Sequence, residues 1–377
     1  MRVVMSGPPL TAEPAGPAVH LTSLVSALLD EDRDLEIALR QVSVRNRLAA
    51  KSAVRLVHPR LSAKVVPLPD SWVRRAQSRL GSPTERLLMG PFSVYHQLHA
   101  DADPAVPGEH LIVTLHDTVA LRWPREEGAM APFARRLLSR SAAVITVSHY
   151  SKGEICSEFG LAEEQVHVIH NGLDARRLTP EGAAETSKAV RQWLGLDRPY
   201  ALFVGGATPR KNVPGLLAAL ALWQSNDLHD LHLVLAGPVY RAEKQLRAAL
   251  PDEHQGRVHF AGFVPDALMP GLYGDAVALL CPSLYEGFGL PVVEAMACGT
   301  PVVAADSSAL PEVAGPAARL VDPTDPAAIA AGLESLVTEA ERDRRERREL
   351  GLDWVKQFSW AAAARDTASL YTRVAGR

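Results

Sequence analysis

Cysteine is scarce, and no apolar run is long enough to cross a membrane. The three cysteines, Cys156, Cys281 and Cys298, are odd in number and lack metal-type spacing, which argues against a disulfide or zinc framework. Such usage fits a reducing cytoplasm. The N-terminal apolar stretch ends at Ser6, Gly7, Pro8 and Pro9, so it reads as a first strand and loop rather than a signal h-region or a membrane span. Tandem repeats and low-complexity tracts are missing, which sets solenoids aside. A strong net charge is also lacking: at a formal −3 the chain is not expected to be a general nucleic-acid binder. The charge is nevertheless uneven. Eleven basic residues from Arg40 to Arg86 stand against Asp70 and Glu85, a local balance of +9. That run is open to three readings: an anionic acceptor, a lipid headgroup layer at the inner face of the membrane, or plain solvent.

A hydrophobic content of 47% and a charged content of 22% are ordinary for a soluble globular protein. Its 377 residues suit two α/β domains, at roughly 100 to 200 residues each. Short apolar runs alternate with helical patterns almost throughout. Arg2–Met5, Leu35–Leu39, Leu111–Leu115, Ala143–Val147 and Val166–Ile169 are the predicted strands of a first domain. A second series comprises Ala201–Val204, Leu231–Leu235, Val258–Phe260, Val277–Leu280, Pro301–Ala304 and Arg319–Val321. Continuous apolar runs separated by helices mean strands buried on both faces, hence parallel sheets. The polar connector from Gly172 to Pro199, with one helical stretch near Ala189–Leu194, holds the expected boundary, giving domains 1–180 and 181–357. Residues 358–377 hold a final helix, with Ser359 as its N-cap and no strand to return to. The dense mixture of both signs from Glu339 to Glu349 reads as a solvated helix face.

The strongest chemical signal follows the strand at Val277–Leu280. There the chain runs Pro282, Ser283, Leu284, Tyr285, Glu286, Gly287, Phe288, Gly289, Leu290 and Pro291, then a helical stretch to Gly299. Pro291 suits a first helical turn and Gly299 a C-terminal stop, so the helix is expected to begin near Leu290. Gly287 and Gly289 let backbone amides approach a ligand, and the helix N-terminus adds free N–H groups for phosphate or sugar oxygens. Glu286 precedes that turn and Glu294 lies one turn inside the helix; a carboxylate accepts two hydroxyl hydrogen bonds and suits a vicinal diol. A second loop, Gly205, Gly206, Ala207, Thr208, Pro209, Arg210, Lys211 and Asn212, places two cations beside a helix start. Asn212 is expected to cap that helix and Pro214 to occupy its first turn. In the first domain, His116 and Asp117 end the strand Leu111–Leu115, with Asp117 expected to cap the turn that follows.

The pattern Glu-Gly-Phe-Gly-Leu-Pro, with a second Glu eight positions after the first, closely resembles the retaining glycosyltransferases of family 4 (group 1). The resemblance covers nearly the whole chain and is strongest from Ala201 to Val321. It implies two facing Rossmann-like doubly wound domains (the GT-B fold), an N-terminal domain for the acceptor, a C-terminal domain for a nucleotide-sugar donor, and a last helix crossing back to the first domain. It assigns Glu286 to the transferred sugar, Glu294 to the ribose, and the amides of Gly287, Phe288, Gly289 and Leu290 to sugar and phosphate. Arg210 and Lys211, with Gly206 beside them, would hold the diphosphate and stabilise the leaving group. His116 would stand near the anomeric carbon, a structural His being the alternative. Gly262, Phe263 and Val264 match the stretch whose backbone reads the base. Before the expected helix Val19–Leu29, only Gly16 stands where relatives carry two glycines, so donor contact from that loop rests on Gly16 alone.

The implied activity is transfer of a hexosyl group from a nucleotide-diphosphate sugar, GDP-mannose ahead of UDP-hexoses, to a glycan, lipid-linked or small-molecule acceptor, with no metal and no cofactor. Two rivals keep the same fold: a nucleotide-sugar epimerase or hydrolase that turns over without acceptor, and a non-catalytic binding subunit. Several patterns are set aside. Asp101, Ala102 and Asp103 spell a metal-binding triplet of a different transferase fold but lie in a Pro-rich loop. His96 and His99 have no accompanying Glu for a zinc site, and Ser148 with His149 lacks a Gly-x-Ser-x-Gly elbow. Neither glycine loop reads Gly-x-Gly-x-x-Gly, which weakens a dinucleotide-dependent dehydrogenase.

Overall fold

The computed structural model describes residues 1–6, 16–42, 57–66, 86, 88–98, 100, 104, 106–125, 133–223, 228 and 230–376. These fall into two compact units, one drawn from Met1–Pro124, Gly128–Gly172 and Ser359–Arg377, the other from Arg125–Glu127 and Leu173–Phe358. The change of unit after Gly172 falls inside the polar connector that the sequence marks out.

In the first unit, seven parallel strands form one sheet: β1 (Arg2–Ser6), β2 (Glu36–Val42), β3 (Ser62–Val66), β4 (Val94–Gln97), β5 (Leu111–Thr114), β6 (Ala143–Thr146) and β7 (Val166–Val168), in the order β3-β2-β1-β4-β5-β6-β7. The pleat sends alternate side chains to opposite faces. Val3, Met5, Ile37, Leu39, Val94 and Ile112 pack with Leu21, Leu24 and Leu28 of helix Gly16–Glu31 and with Leu370 and Tyr371 of helix Trp360–Ala375. Val4, Ala38, Tyr95, Leu111 and Val113 face helices Ala134–Arg140 and His149–Phe159 on the other side. Ser359 caps the C-terminal helix as expected, its side chain accepting from Ala362 N at 3.4 Å.

Two of these strands, β3 and β4, were not expected. Among the described basic residues of the 40–86 run, Arg40 is buried. Arg60, though exposed, donates to the carbonyls of Leu29, Asp32, Arg33 and Leu35, which ties it to the end of helix Gly16–Glu31. Arg45, Arg47, Lys51, Arg55, Arg74, Arg75 and Arg79 lie outside the described residues, as do His99 and Asp101–Asp103. Among the described residues, no helix is long and apolar enough to cross a membrane.

The second unit holds the six expected strands, also all parallel: β8 (Tyr200–Val204), β9 (His232–Ala236), β10 (Val258–Gly262), β11 (Ala278–Cys281), β12 (Val302–Ala305) and β13 (Arg319–Val321), in the order β10-β9-β8-β11-β12-β13. The order reverses between β8 and β11, a divergence of topology at whose carboxyl edge doubly wound sheets bind ligands. Glycines let the loops leaving β8, β9 and β10 approach one another. Gly237 sits at φ 98°, its N–H donates to Gly262 O at 2.7 Å, and a Cβ there would lie 2.9 Å from Gly205 O. Helix Glu341–Trp354, which carries most of the mixed-charge run, is largely exposed, as that run implies.

Candidate functional site

The loops after β8 and β11 meet at one carboxylate. Glu286, 6% exposed, receives Arg210 Nη1 on Oε2 at 2.8 Å and Lys211 Nζ on Oε1 at 2.5 Å. Ser283 Oγ also donates to Oε1, at 2.7 Å. Arg210 further donates to Tyr285 O at 3.3 Å, and its own carbonyl accepts from Leu284 N at 2.7 Å. Burial alone would push the Glu286 carboxyl up, but Lys211 and Arg210, helped by hydrogen bonds from Lys211 and Ser283, more than offset it and hold the group below the usual carboxylate range. Glu286 is therefore ionised at neutral pH. Two cations thus converge on this carboxylate at the β8/β11 divergence, a concentration of positive charge that suits an anionic ligand.

Asn212 does not cap the following helix, Val213–Leu220. It stands at the N-cap position with φ 55°, and its Nδ2 donates instead to Pro282 O at 3.1 Å and Pro323 O at 2.6 Å. The amide lies against Gly215 in the helix's first turn, where a Cβ would come 2.5 Å from its Oδ1, but it makes no capping hydrogen bond. Its effect is to fasten the Arg210–Lys211 turn to the loops after β11 and β13.

Helix Leu290–Ala297 begins where the sequence places it, after Gly289 at φ 111° and with Pro291 in its first turn. A Cβ at position 289 would lie 2.8 Å from Leu310 Cδ2, so only glycine fits that close approach. The Phe288 side chain is an anchor: it is 4% exposed and packs edge-on against Phe358 with ring centroids 5.4 Å apart. Gly287 is buried and Leu290 half-buried beside it. Glu294 is half-buried on that helix, and its Oε2 accepts from Tyr273 Oη at 2.6 Å. Burial pushes its carboxyl above the ordinary value, against the Tyr273 hydrogen bond and Arg177. Gly206 follows β8 and Val264 follows β10, both half-buried at the same sheet edge. Cys281 is pushed up to about 11 by burial, with Glu286 adding to the shift, so its thiol stays neutral.

His116 belongs to the first unit, half-buried just beyond β5, with its carbonyl accepting from Thr146 Oγ1 at 3.3 Å. Its ring stands edge-on to His20, centroids 4.6 Å apart. His20 is itself buried, with Nδ1 2.7 Å from Asn171 Oδ1. Asp117 caps the next turn, accepting from Val119 N at 3.0 Å. Glu154 fastens the rest of that loop, accepting from Thr118 Oγ1 at 2.8 Å and Arg122 Nη2 at 2.7 Å. Gly16 opens helix Gly16–Glu31 in the same unit, and the loop before it lies outside the described residues. Ser148 is a helix N-cap, accepting from Ser151 N at 3.1 Å.

The sequence reading misses three serines of the second unit. Ser283 meets the Glu286 carboxylate, Ser308 Oγ accepts from Glu286 N at 2.9 Å, and Ser307 Oγ donates to Ser283 O at 3.0 Å. A serine in a loop carries no periodic signal, so only the folded chain brings these to light.

Known proteins resemble the chain along most of its length. Residues 187–350 match the family described as glycosyl transferases group 1, and residues 15–177 match glycosyltransferase family 4. The O-antigen chain mannosyltransferase B of Escherichia coli is 31% identical over 329 residues, spanning 85% of this chain and 79% of that protein. The chain belongs to the family 4 (group 1) glycosyltransferases. This glycosyltransferase is also 31% identical over 352 residues to the alpha-maltose-1-phosphate synthase of Mycobacterium tuberculosis, covering 82% of this chain and 89% of that one. Its fold is the GT-B fold: the crystal structure of the Anabaena protein HepE with UDP and glucose matches at a TM-score of 0.76 and 19% identity, over 99% of this chain and 100% of that one.

Proposed function

We propose that this glycosyltransferase takes a hexosyl group from a nucleotide-diphosphate sugar and passes it, with retained anomeric configuration and without a metal, to a glycan, lipid-linked or small-molecule acceptor. The observation that carries the reading is the convergence of Arg210 and Lys211 on Glu286 at the β8/β11 divergence. The diphosphate lies against the two cations, Glu286 reads the transferred sugar, and Glu294, with one oxygen held by Tyr273, accepts from the ribose hydroxyls. Val264 and its neighbours lie at the base and the glycine amides at the sugar and phosphate. GDP-mannose is the favoured donor, in keeping with the mannosyltransferase relative, and UDP-hexoses come next, in keeping with the UDP and glucose bound by HepE.

The acceptor belongs to the first unit, where His116 stands at the carboxyl edge of the sheet. The acceptor oxygen attacks the anomeric carbon on the face from which the diphosphate leaves. Its proton passes to a leaving phosphate oxygen while Arg210 and Lys211 hold the charge that develops there. The buried thiol of Cys281 stays protonated and takes no part as a nucleophile.

A thermal-shift screen of GDP, UDP, GDP-mannose and UDP-glucose tests the donor, because a ligand at 100 times its dissociation constant stabilises by about 2.7 kcal/mol. One sugar nucleotide and its diphosphate are expected to stand out. Diphosphate release that needs an acceptor supports transfer; equal release without any acceptor points to a hydrolase instead, and inversion at the anomeric carbon overturns the same-face mechanism.

A further inference from the structure

We infer that Ser308 is a positioning residue for Glu286, fixing that carboxylate where the transferred sugar is read; this rests on the role proposed above for Glu286. Ser308 lies beyond β12, yet its Oγ accepts from Glu286 N at 2.9 Å, and the amide of the next residue, Ala309, donates to Glu286 O at 3.3 Å. Both backbone polar groups of Glu286 are thus held by two consecutive residues of a neighbouring loop. Ser307 extends the grip, donating through Oγ to Ser283 O at 3.0 Å, and Ser283 in turn donates to the Glu286 carboxylate at 2.7 Å. The loop after β12 therefore sets the backbone of Glu286 and the hydroxyl that meets its side chain.

Ser308 does this at φ 53°, a left-handed conformation that residues with a Cβ seldom adopt. Glycine would relax there but would bring no hydroxyl. That hydroxyl is used in both senses: it donates to Ser307 O at 2.7 Å and accepts from Glu286 N. Among the described residues, the other left-handed non-glycine is Asn212, which fastens the turn carrying Arg210 and Lys211. Both sites of backbone strain thus flank the same carboxylate, one on its cationic side and one on its own loop. Strain of this kind persists where surrounding contacts over-determine a residue, and it gathers at functional sites.

Ser308→Gly separates positioning from structural support, because it removes the hydroxyl while relaxing the backbone. The variant gives up the hydroxyl's bond to Glu286 N, a loss that relief of strain offsets in part, and is expected to melt within about 5 °C of the parent. It is expected to bind free nucleoside diphosphate within about 3-fold of the parent but to lose about 10- to 100-fold in kcat, the scale of a small misplacement in a reacting site. In a Glu286→Gln background the same change is expected to cost less than about 2-fold, because a residue acting through Glu286 has nothing left to position. An unchanged kcat in Ser308→Gly, or an equal loss in both backgrounds, overturns the inference. Parental turnover in Glu286→Gln alone would instead overturn the role of Glu286 itself.

Discussion

Arg210 Nη1 lies 2.8 Å from Glu286 Oε2, an ion pair between the loops that leave β8 and β11. Lys211 meets the other oxygen at 2.5 Å, so one buried carboxylate holds two cations in place. It also occupies the charge that a diphosphate would otherwise meet. In the proposed site the same group would both organise the diphosphate's contacts and compete for them.

Replacing that carboxylate by its amide makes the competition measurable. Glu286→Gln is expected to bind GDP or UDP about 3- to 10-fold more tightly, because the two cations then lose the anion they share. Sugar transfer is expected to fall at least about 10-fold, and the ligand-free variant to lose about 1 to 3 kcal/mol of stability through weakened buried hydrogen bonds. Calorimetric titration beside melting curves checks all of this. Weaker diphosphate binding would show that Glu286 supports the anion rather than competing with it.

Glu294 makes a prediction about pH. Burial raises its carboxyl above the ordinary range, so it takes up a proton at higher pH than an exposed carboxylate. In the proposed role the ionised carboxylate would accept from both ribose hydroxyls, whereas protonation turns one of its oxygens into a donor. Nucleotide affinity is therefore expected to weaken as pH falls through that raised value, and Glu294→Gln is expected to lose this part of the pH dependence. The ratio of parent to variant dissociation constants across a pH series reports it, since titration of the nucleotide's own phosphate cancels. A ratio that stays constant with pH would remove Glu294 from the ribose.

His96 makes a prediction about acid stability. It is fully buried between Tyr371 Oη at 2.6 Å and Thr114 Oγ1 at 2.7 Å, and burial, with His20 nearby, lowers its pKa to about 3. The folded chain thus refuses a proton that the unfolded chain accepts near its ordinary 6.5. Stability from this source is complete above that value and is lost progressively as pH falls toward the folded one. Between pH 7 and pH 5 the loss should be about 2 kcal/mol, and His96→Gln should not show it. Urea denaturation of both proteins at the two pH values measures the difference; parallel losses would contradict the assignment.

That histidine also shows where sequence reading stops. β4 is Val94–Gln97, a strand whose last two residues are polar, and nothing in the sequence reveals that Tyr371, 275 residues away, will satisfy His96. β3 is an edge strand with Lys64 at its centre inside a basic run, so its apolar signal is short. Most of the other eleven strands were legible because parallel strands buried on both faces must be continuously apolar, whereas the edge strand β13 exposes Arg319 and Leu320 and showed only as a short run. Helix Leu290–Ala297 was legible from its glycines and proline. The pairing of Arg210 and Lys211 with Glu286 was not, since it depends on β8 and β11 becoming neighbours, which brings together Lys211 and Glu286 from 75 positions apart. Asn212 was misassigned as a cap because its left-handed backbone is a consequence of the loops it ties together.

The most direct test of the donor site compares steady-state kinetics of Arg210→Ala and Glu294→Ala with the parent, varying the nucleotide sugar at saturating acceptor. Arg210→Ala should mainly lower kcat, by about 10²- to 10³-fold, as loss of a donor to a developing charge does. Glu294→Ala should mainly raise the donor KM, with kcat within about 3-fold, as loss of uniform binding does. Parental kinetics in both variants would contradict the account.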